Sequence, residues 1–221
     1  LNAGKSLEDA RLGCATGCVE TGCVGKEAYW LTGYFNIPKI LKITLNNGFD
    51  KYTNKQIGLK TGDPRDFKSY EELYDAFIKQ MNYFIDIKIE GNNIIERLYQ
   101  KYMPVPFISV ITDDCIKKGK NYNAGGARYN TMYIQGVGIG TITDSLAAIK
   151  YNVYDHKKFT MDELLKALEN NFEGYEHIKE LVSEKTPKYG NDDDYADDIM
   201  KAVFNSYYNA VTGRRSVRGD E

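Results

Sequence analysis

The chain has 221 residues, 42% of them apolar and 27% charged, with a formal net charge of -2. That balance suits a globular protein with one substantial core. It offers no basic stripe for bulk nucleic-acid binding and no run of about 18 apolar residues for a membrane span.

The opening "LNAGKSLEDARLG" is polar and carries no signal-peptide pattern. The first residue is Leu1 and the last stretch is "TGRRSVRGDE", so the sequence looks cut at both ends. Cys14, Cys18 and Cys23 crowd the glycine-rich stretch that follows, and Cys115 stands far away. This is a poor disulfide framework and points to a reducing cytoplasm.

Next, "KEAYWLTGYFNIPKILKITLNNG" carries apolar residues at helical spacing, with Pro38 suited to a helix start and Gly48 to a stop after Leu45. Ser69 and Glu72 form a capping-box pattern ahead of one long helix, or two abutting ones, ended by Pro104 and Pro106. "VPFISVIT" reads as a short buried strand, and "TMYIQGVGIGTIT" is a second strand candidate after a glycine-rich loop.

A helix is expected to begin near Asp144. Thr160 with Glu163 caps another, "EHIKELVSE" follows, and the last runs over Asp193–Val211 to a stop at Gly213. Long helices alternating with a few short buried strands predict an α/β architecture. The 18 tyrosines are scattered through helical patterns without interleaved basic residues, which fits packing rather than base stacking.

The chemistry concentrates in "CATGCVETGCVG". A structural thiol, a metal ligand and a reactive sulfur are the three roles open to Cys18. The spacing Cys14, Cys18, Cys23 misses the iron–sulfur cluster set of the radical S-adenosylmethionine type, and a zinc site would need further ligands, whereas His156 and His177 lie far off in helical segments. Cys14, Cys23 and Cys115 are expected as small buried hydrophobes. Cys18 differs, because Gly17 and Gly22 flank it and let the backbone approach a ligand closely.

Glu20 stands two positions on. In an extended loop, thiol and carboxylate would face the same side, and a closed pocket would raise the carboxyl pKa into a useful range. Two other motifs carry less. "GVGIGTIT" lacks the register of a dinucleotide fingerprint, and "NDDDYADD" suits acidic residues entering a helix N-terminus.

"GCVETGCVGKEAYWLTGYFNIPKILKITLNNG" resembles the active-site loop of the glycyl radical enzymes, the relatives of pyruvate formate-lyase. "NAGGARYN" at 123–130, "GVGIGTITDSLAAIKY" at 136–151 and "KYGNDDDYAD" at 188–197 support the same family, so the resemblance runs through nearly all the chain. Gly17-Cys18-Val19-Glu20 is similar to the members that eliminate or decarboxylate, and the Thr21–Gly22 continuation is most similar to those that dehydrate trans-4-hydroxy-L-proline.

The resemblance implies a ten-stranded β/α barrel with Cys18 on a central finger loop. It also implies that residues 1–221 are the central part of the catalytic domain, without the N-terminal part and the C-terminal glycyl radical domain. Cys18 would become a thiyl radical and abstract hydrogen from the substrate, Glu20 would handle a proton, and Tyr34 would line the substrate pocket. The radical would be stored on a glycine in a motif like R-V-x-G-Y, which this chain lacks. An iron–sulfur activating enzyme of the radical S-adenosylmethionine type would install it, and the full-length protein would be a homodimer. The chain alone is expected to be inactive.

Overall fold

The computed structural model describes residues 4–16 and 20–218. Cys18, with Gly17 and Val19, lies outside the described residues. The chain gathers into two compact units, each built from separate stretches: residues 1–33, 87–135 and 212–221 form one, and 34–86 with 136–211 form the other.

The first unit opens with α1 (Leu7–Arg11), capped by the Ser6 side chain, which accepts from the Asp9 N–H. The strands β1 (Cys14–Thr16) and β2 (Glu20–Gly22) pair antiparallel, with Cys14 opposite Gly22 and Thr16 opposite Glu20. Then β3 (Glu27–Asn36) pairs with β6 (Tyr129–Val137).

The helical spacing read over residues 26–36 is therefore corrected to a strand. The run Tyr29, Trp30, Thr32, Tyr34, Phe35 is aromatic and β-branched, which favours a pleated surface. Both faces of β3 meet side chains within this unit, so clean alternation is missing. Trp30 meets Tyr99 edge-on at 4.8 Å and Tyr29 stacks with Tyr133 at 6.4 Å.

A 33-residue helix, α3 (Tyr70–Tyr102), is one element rather than two. Ser69 accepts from the Glu72 N–H as a cap, while the Glu72 carboxylate reaches back to the Lys68 N–H.

"VPFISVIT" is not a strand: α4 (Pro106–Ile111) is a helix, and none of its residues is buried. Pro106 suits a first helical turn, and the Ser109 and Thr112 hydroxyls donate back to the Val105 and Ile108 carbonyls, as they do on helices. A short apolar run has no period that separates the two states. The short α5 (Cys115–Lys118) follows, ending at Gly119.

In the second unit, α2 (Ile37–Thr44) begins where Pro38 indicated, capped by the Asn36 side chain. It buries Ile37, Ile40, Leu41 and Ile43, and the first half of α3 buries Leu73, Phe77, Met81 and Ile85. Each large apolar side chain fully removed from water contributes about 1.5–3 kcal/mol. A two-stranded ribbon, β4 (Phe49–Asp50) with β5 (Lys55–Gln56), follows α2.

The helix expected near Asp144 begins earlier. It is α6 (Ile139–Ile149), and the second strand candidate ends at Val137. The hinge is Gly138, at φ 84°, where an added Cβ would stand 2.6 Å from the Pro38 ring. No larger residue fits that contact or favours that backbone.

A π-helical turn, Lys150–Asp155, extends α6. Then come α7 (Met161–Glu169), α8 (Glu176–Glu184) and α9 (Asp194–Val211). The Thr160–Glu163 capping box is present in both directions, a feature worth about 1 kcal/mol. Acidic Asp194 and Asp197 sit in the first turn of α9, where the helix dipole favours them. The architecture is mixed α/β.

Candidate functional site

The cysteine stretch folds as a hairpin. Residues 17–19, Cys18 among them, stand between β1 and β2 in the chain and lie outside the described residues, and Glu20 opens the returning strand. Glu20 is half-buried. The two arms make only three facing pairs, which is too little to hold a ribbon in place by itself.

What holds this one lies beneath it, on one face of β3 and β6. Glu27 is buried at the start of β3, and its carboxylate accepts the Cys23 N–H at 2.9 Å. The same carboxylate accepts the Thr131 hydroxyl and pairs with Lys5. The Tyr133 hydroxyl donates to the Thr21 carbonyl at 3.0 Å. Burial, followed by the charges of Glu27 and Glu20, pushes the Tyr133 phenol up to about 12. Burial pushes Tyr29 to about 12 as well, so both rings are neutral phenols at ordinary pH.

Gly22 sits against this floor. An added Cβ would come 2.3 Å from the Tyr29 hydroxyl and 2.6 Å from a Glu27 oxygen, so only glycine allows the approach. The opposite face of β3 is tied to the second half of α3. There the Asn92 amide donates to the Thr32 hydroxyl at 2.6 Å and Lys88 to the Thr32 carbonyl at 2.7 Å.

A second cluster braces the approach to the hairpin. Asp9 is buried and accepts hydrogen bonds from Lys26, from Tyr129 at 2.8 Å and from Arg128 at 3.1 Å. Lys26 first, then Tyr129, with Arg128 adding, hold its carboxyl well below the usual carboxylate range. Arg128 also bonds Asp113 and Asp114, each at 3.2 Å.

A carboxyl depressed on folding stabilises the native state above its unfolded value of about 3.9, and that stability is lost as pH falls toward the folded value. The chain is therefore expected to weaken on acidification between about pH 5 and pH 2. Asp9→Asn should make that decline shallower and lower stability at pH 7. Urea unfolding across this pH range checks both.

Cys23 and Cys115 are buried, as small hydrophobes would be, but Cys14 is exposed on β1, correcting the expectation for that residue. Tyr34 stands on β3 and is 64% exposed. No group of three or more His, Cys, Asp or Glu side chains that could hold a metal gathers among the described residues. No helix among them is long and apolar enough to cross a membrane.

Glu27, Tyr29, Thr131 and Tyr133 were not legible as site residues. Their period-two spacing emerges only once both segments are strands.

The chain is 71% identical over 221 residues to a trans-4-hydroxy-L-proline dehydratase of Clostridioides difficile, a match that covers 100% of this chain and 28% of that protein. The crystal structure of hydroxyproline dehydratase from Clostridioides difficile with trans-4-hydroxy-L-proline bound superposes with a TM-score of 0.96, over 99% of this chain and 28% of that one. The glycerol-bound form of the B12-independent glycerol dehydratase from Clostridium butyricum is 39% identical, with a TM-score of 0.92 over 100% of this chain and 28% of the neighbour. The chain thus spans 28% of the length of these proteins. A family model described as pyruvate formate lyase-like matches residues 1–221, and with it the chain belongs to the pyruvate formate lyase-like family.

Proposed function

We propose that residues 1–221 are the central part of the catalytic domain of a glycyl radical dehydratase acting on trans-4-hydroxy-L-proline. The observation that carries this is the 71% identity to the hydroxyproline enzyme over all 221 residues, the hairpin included. The finer architecture belongs to the same proposal: a ten-stranded β/α barrel in which the β1–β2 hairpin is the finger loop and Cys18 its tip.

A glycyl radical carried outside these residues would supply the oxidising equivalent that makes the Cys18 thiol a thiyl. It would be installed by a radical S-adenosylmethionine activating enzyme, on a homodimer, in an oxygen-free cytoplasm. Cys18 takes a hydrogen atom from the ring carbon beside nitrogen. The neighbouring C–O bond then breaks, and the hydroxyl leaves with a proton as water. Hydrogen transfer from Cys18 quenches the product radical and restores the thiyl, leaving a pyrroline carboxylate.

Hydroxide is a poor leaving group, so a proton has to be delivered or shuttled as the bond breaks, and Glu20 does this. Tyr34 lines the pocket.

The test is turnover by the activated full-length enzyme against a panel of hydroxyproline, vicinal diols and hydroxysulfonates. A pyrroline carboxylate formed from hydroxyproline in preference to the others is the expected result. The sulfonate arm has its own motive, since a (2S)-3-sulfopropanediol dehydratase of Klebsiella oxytoca is 39% identical over 223 residues. Preference for that arm would reassign the substrate while keeping the chemistry.

A further inference from the structure

We propose that Glu27 and Tyr133 are positioning residues that clamp the returning arm of the Cys18 hairpin and thereby set where Cys18 stands when it reacts. The inference rests on Cys18 being the hydrogen-abstracting residue.

The hairpin cannot set its own position. Its arms are three residues each, and ribbons this short are marginal in water. Hydrogen abstraction, in contrast, tolerates little displacement, and about 1 Å of misplacement can cost on the order of 100-fold in rate. The tip therefore needs anchors on a rigid element, and β3–β6 supplies two of them.

The Tyr133 hydroxyl holds the carbonyl of Thr21, three residues from Cys18. The Glu27 carboxylate holds the N–H of Cys23, five residues from Cys18. These two backbone groups bracket Gly22, the residue whose missing side chain lets the strand rest on Tyr29 and Glu27. One anchor pulls on a carbonyl and the other on an N–H, so the pair fixes both the height and the twist of the arm.

The anchors are themselves fixed. Glu27 is buried; its Oε1 accepts the Thr131 hydroxyl from the neighbouring strand, and Lys5 pairs with Oε2, the oxygen that also accepts the Cys23 N–H. Tyr133 stacks on Tyr29 with the rings 11° from parallel, and the Tyr29 backbone N–H donates to the Tyr122 hydroxyl at 3.0 Å. A side chain packed this way has few other rotamers to visit, which is what a positioning group requires. A carboxylate and a phenol that served only to fill space would be ill chosen here, because burying either one unpartnered is costly.

The test uses the full-length enzyme, activated anaerobically, with rates normalised to glycyl radical content measured by electron paramagnetic resonance. Tyr133→Phe and Glu27→Ala are each expected to lower kcat per radical about 10- to 100-fold, with KM within about twofold of wild type. Glu27→Gln keeps an oxygen for the Cys23 N–H and should retain most of the rate. A purely structural role would instead lower soluble yield or radical content and leave kcat per radical unchanged.

Wild-type kcat per radical in both Tyr133→Phe and Glu27→Ala overturns the clamp. So does a rise in KM alone, which would place these side chains in substrate binding. If Glu27→Ala carries too little radical to assay, amide hydrogen exchange decides. Protection at Cys23 in wild type and Glu27→Gln, lost in Glu27→Ala, supports the clamp, and equal protection in all three overturns it. A wild-type enzyme that ignores hydroxyproline but dehydrates another panel substrate would fell the substrate assignment alone, and the same ratios are then read on that substrate.

Discussion

Cys18→Ser is expected to abolish dehydration in the activated full-length enzyme, leaving no pyrroline carboxylate above background, while glycyl radical content stays at the wild-type level. The reason is bond strength. A serine O–H bond is far stronger than a thiol S–H bond, so a glycyl radical cannot draw a hydrogen atom from serine. The radical is then stored but never delivered. The measurement pairs a product assay with a radical count on the same sample. Turnover by the serine variant would remove Cys18 from the chemistry. Loss of both product and radical would instead locate the fault in activation. The substitution changes one atom, and the flanking residues 14–16 and 20–22 are backbone-paired with each other.

The second large effect is expected at Glu20. Glu20→Gln keeps the shape and removes the ionisable proton, and general acid–base groups contribute about 10²–10⁴-fold. A fall of that size in kcat per radical, with radical content and KM little changed, is the expected outcome. Near-wild-type rates in the glutamine variant would move proton transfer to another group. Glu20 faces Thr16 across the hairpin and stands on the arm that Tyr133 and Glu27 hold, so its placement depends on the same clamp as the thiol. Combined with Tyr133→Phe it should therefore show non-additive losses, as residues acting in one unit do.

Helix α4 carries exposed apolar surface. All six residues of Pro106–Ile111 lack burial, and Phe107 is 77% exposed. The chain covers 28% of the length of proteins whose structures it matches closely.

Local signals in the sequence determined a good deal. The Thr160–Glu163 capping box, the Pro38 helix start, the glycine after α9 and the long α3 pattern all involve groups within a few residues of each other. Their energetics are set by short chain segments, so the order of residues suffices. The Gly17-Cys18-Val19-Glu20 motif and its extension were likewise enough to place the chain in its family.

Tertiary structure alone decided the rest. Residues 27–36 became a strand because their partner, β6, lies about a hundred positions on: the Thr131 hydroxyl meets Glu27 across a separation of 104 residues. The apolar run "VPFISVIT" has no intrinsic period that separates helix from strand, and the structure shows it as α4. The site shows the same division. The proposed pair, Cys18 and Glu20, are legible in the sequence because both stand in one short motif. Glu27 and Tyr133 are not, because a glutamate in "GKEAYW" and a tyrosine in "TMYIQ" look like ordinary surface and core residues until the sheet brings them under one hairpin. Sequence proximity carries chemical identity, and only the pairing of distant strands carries position.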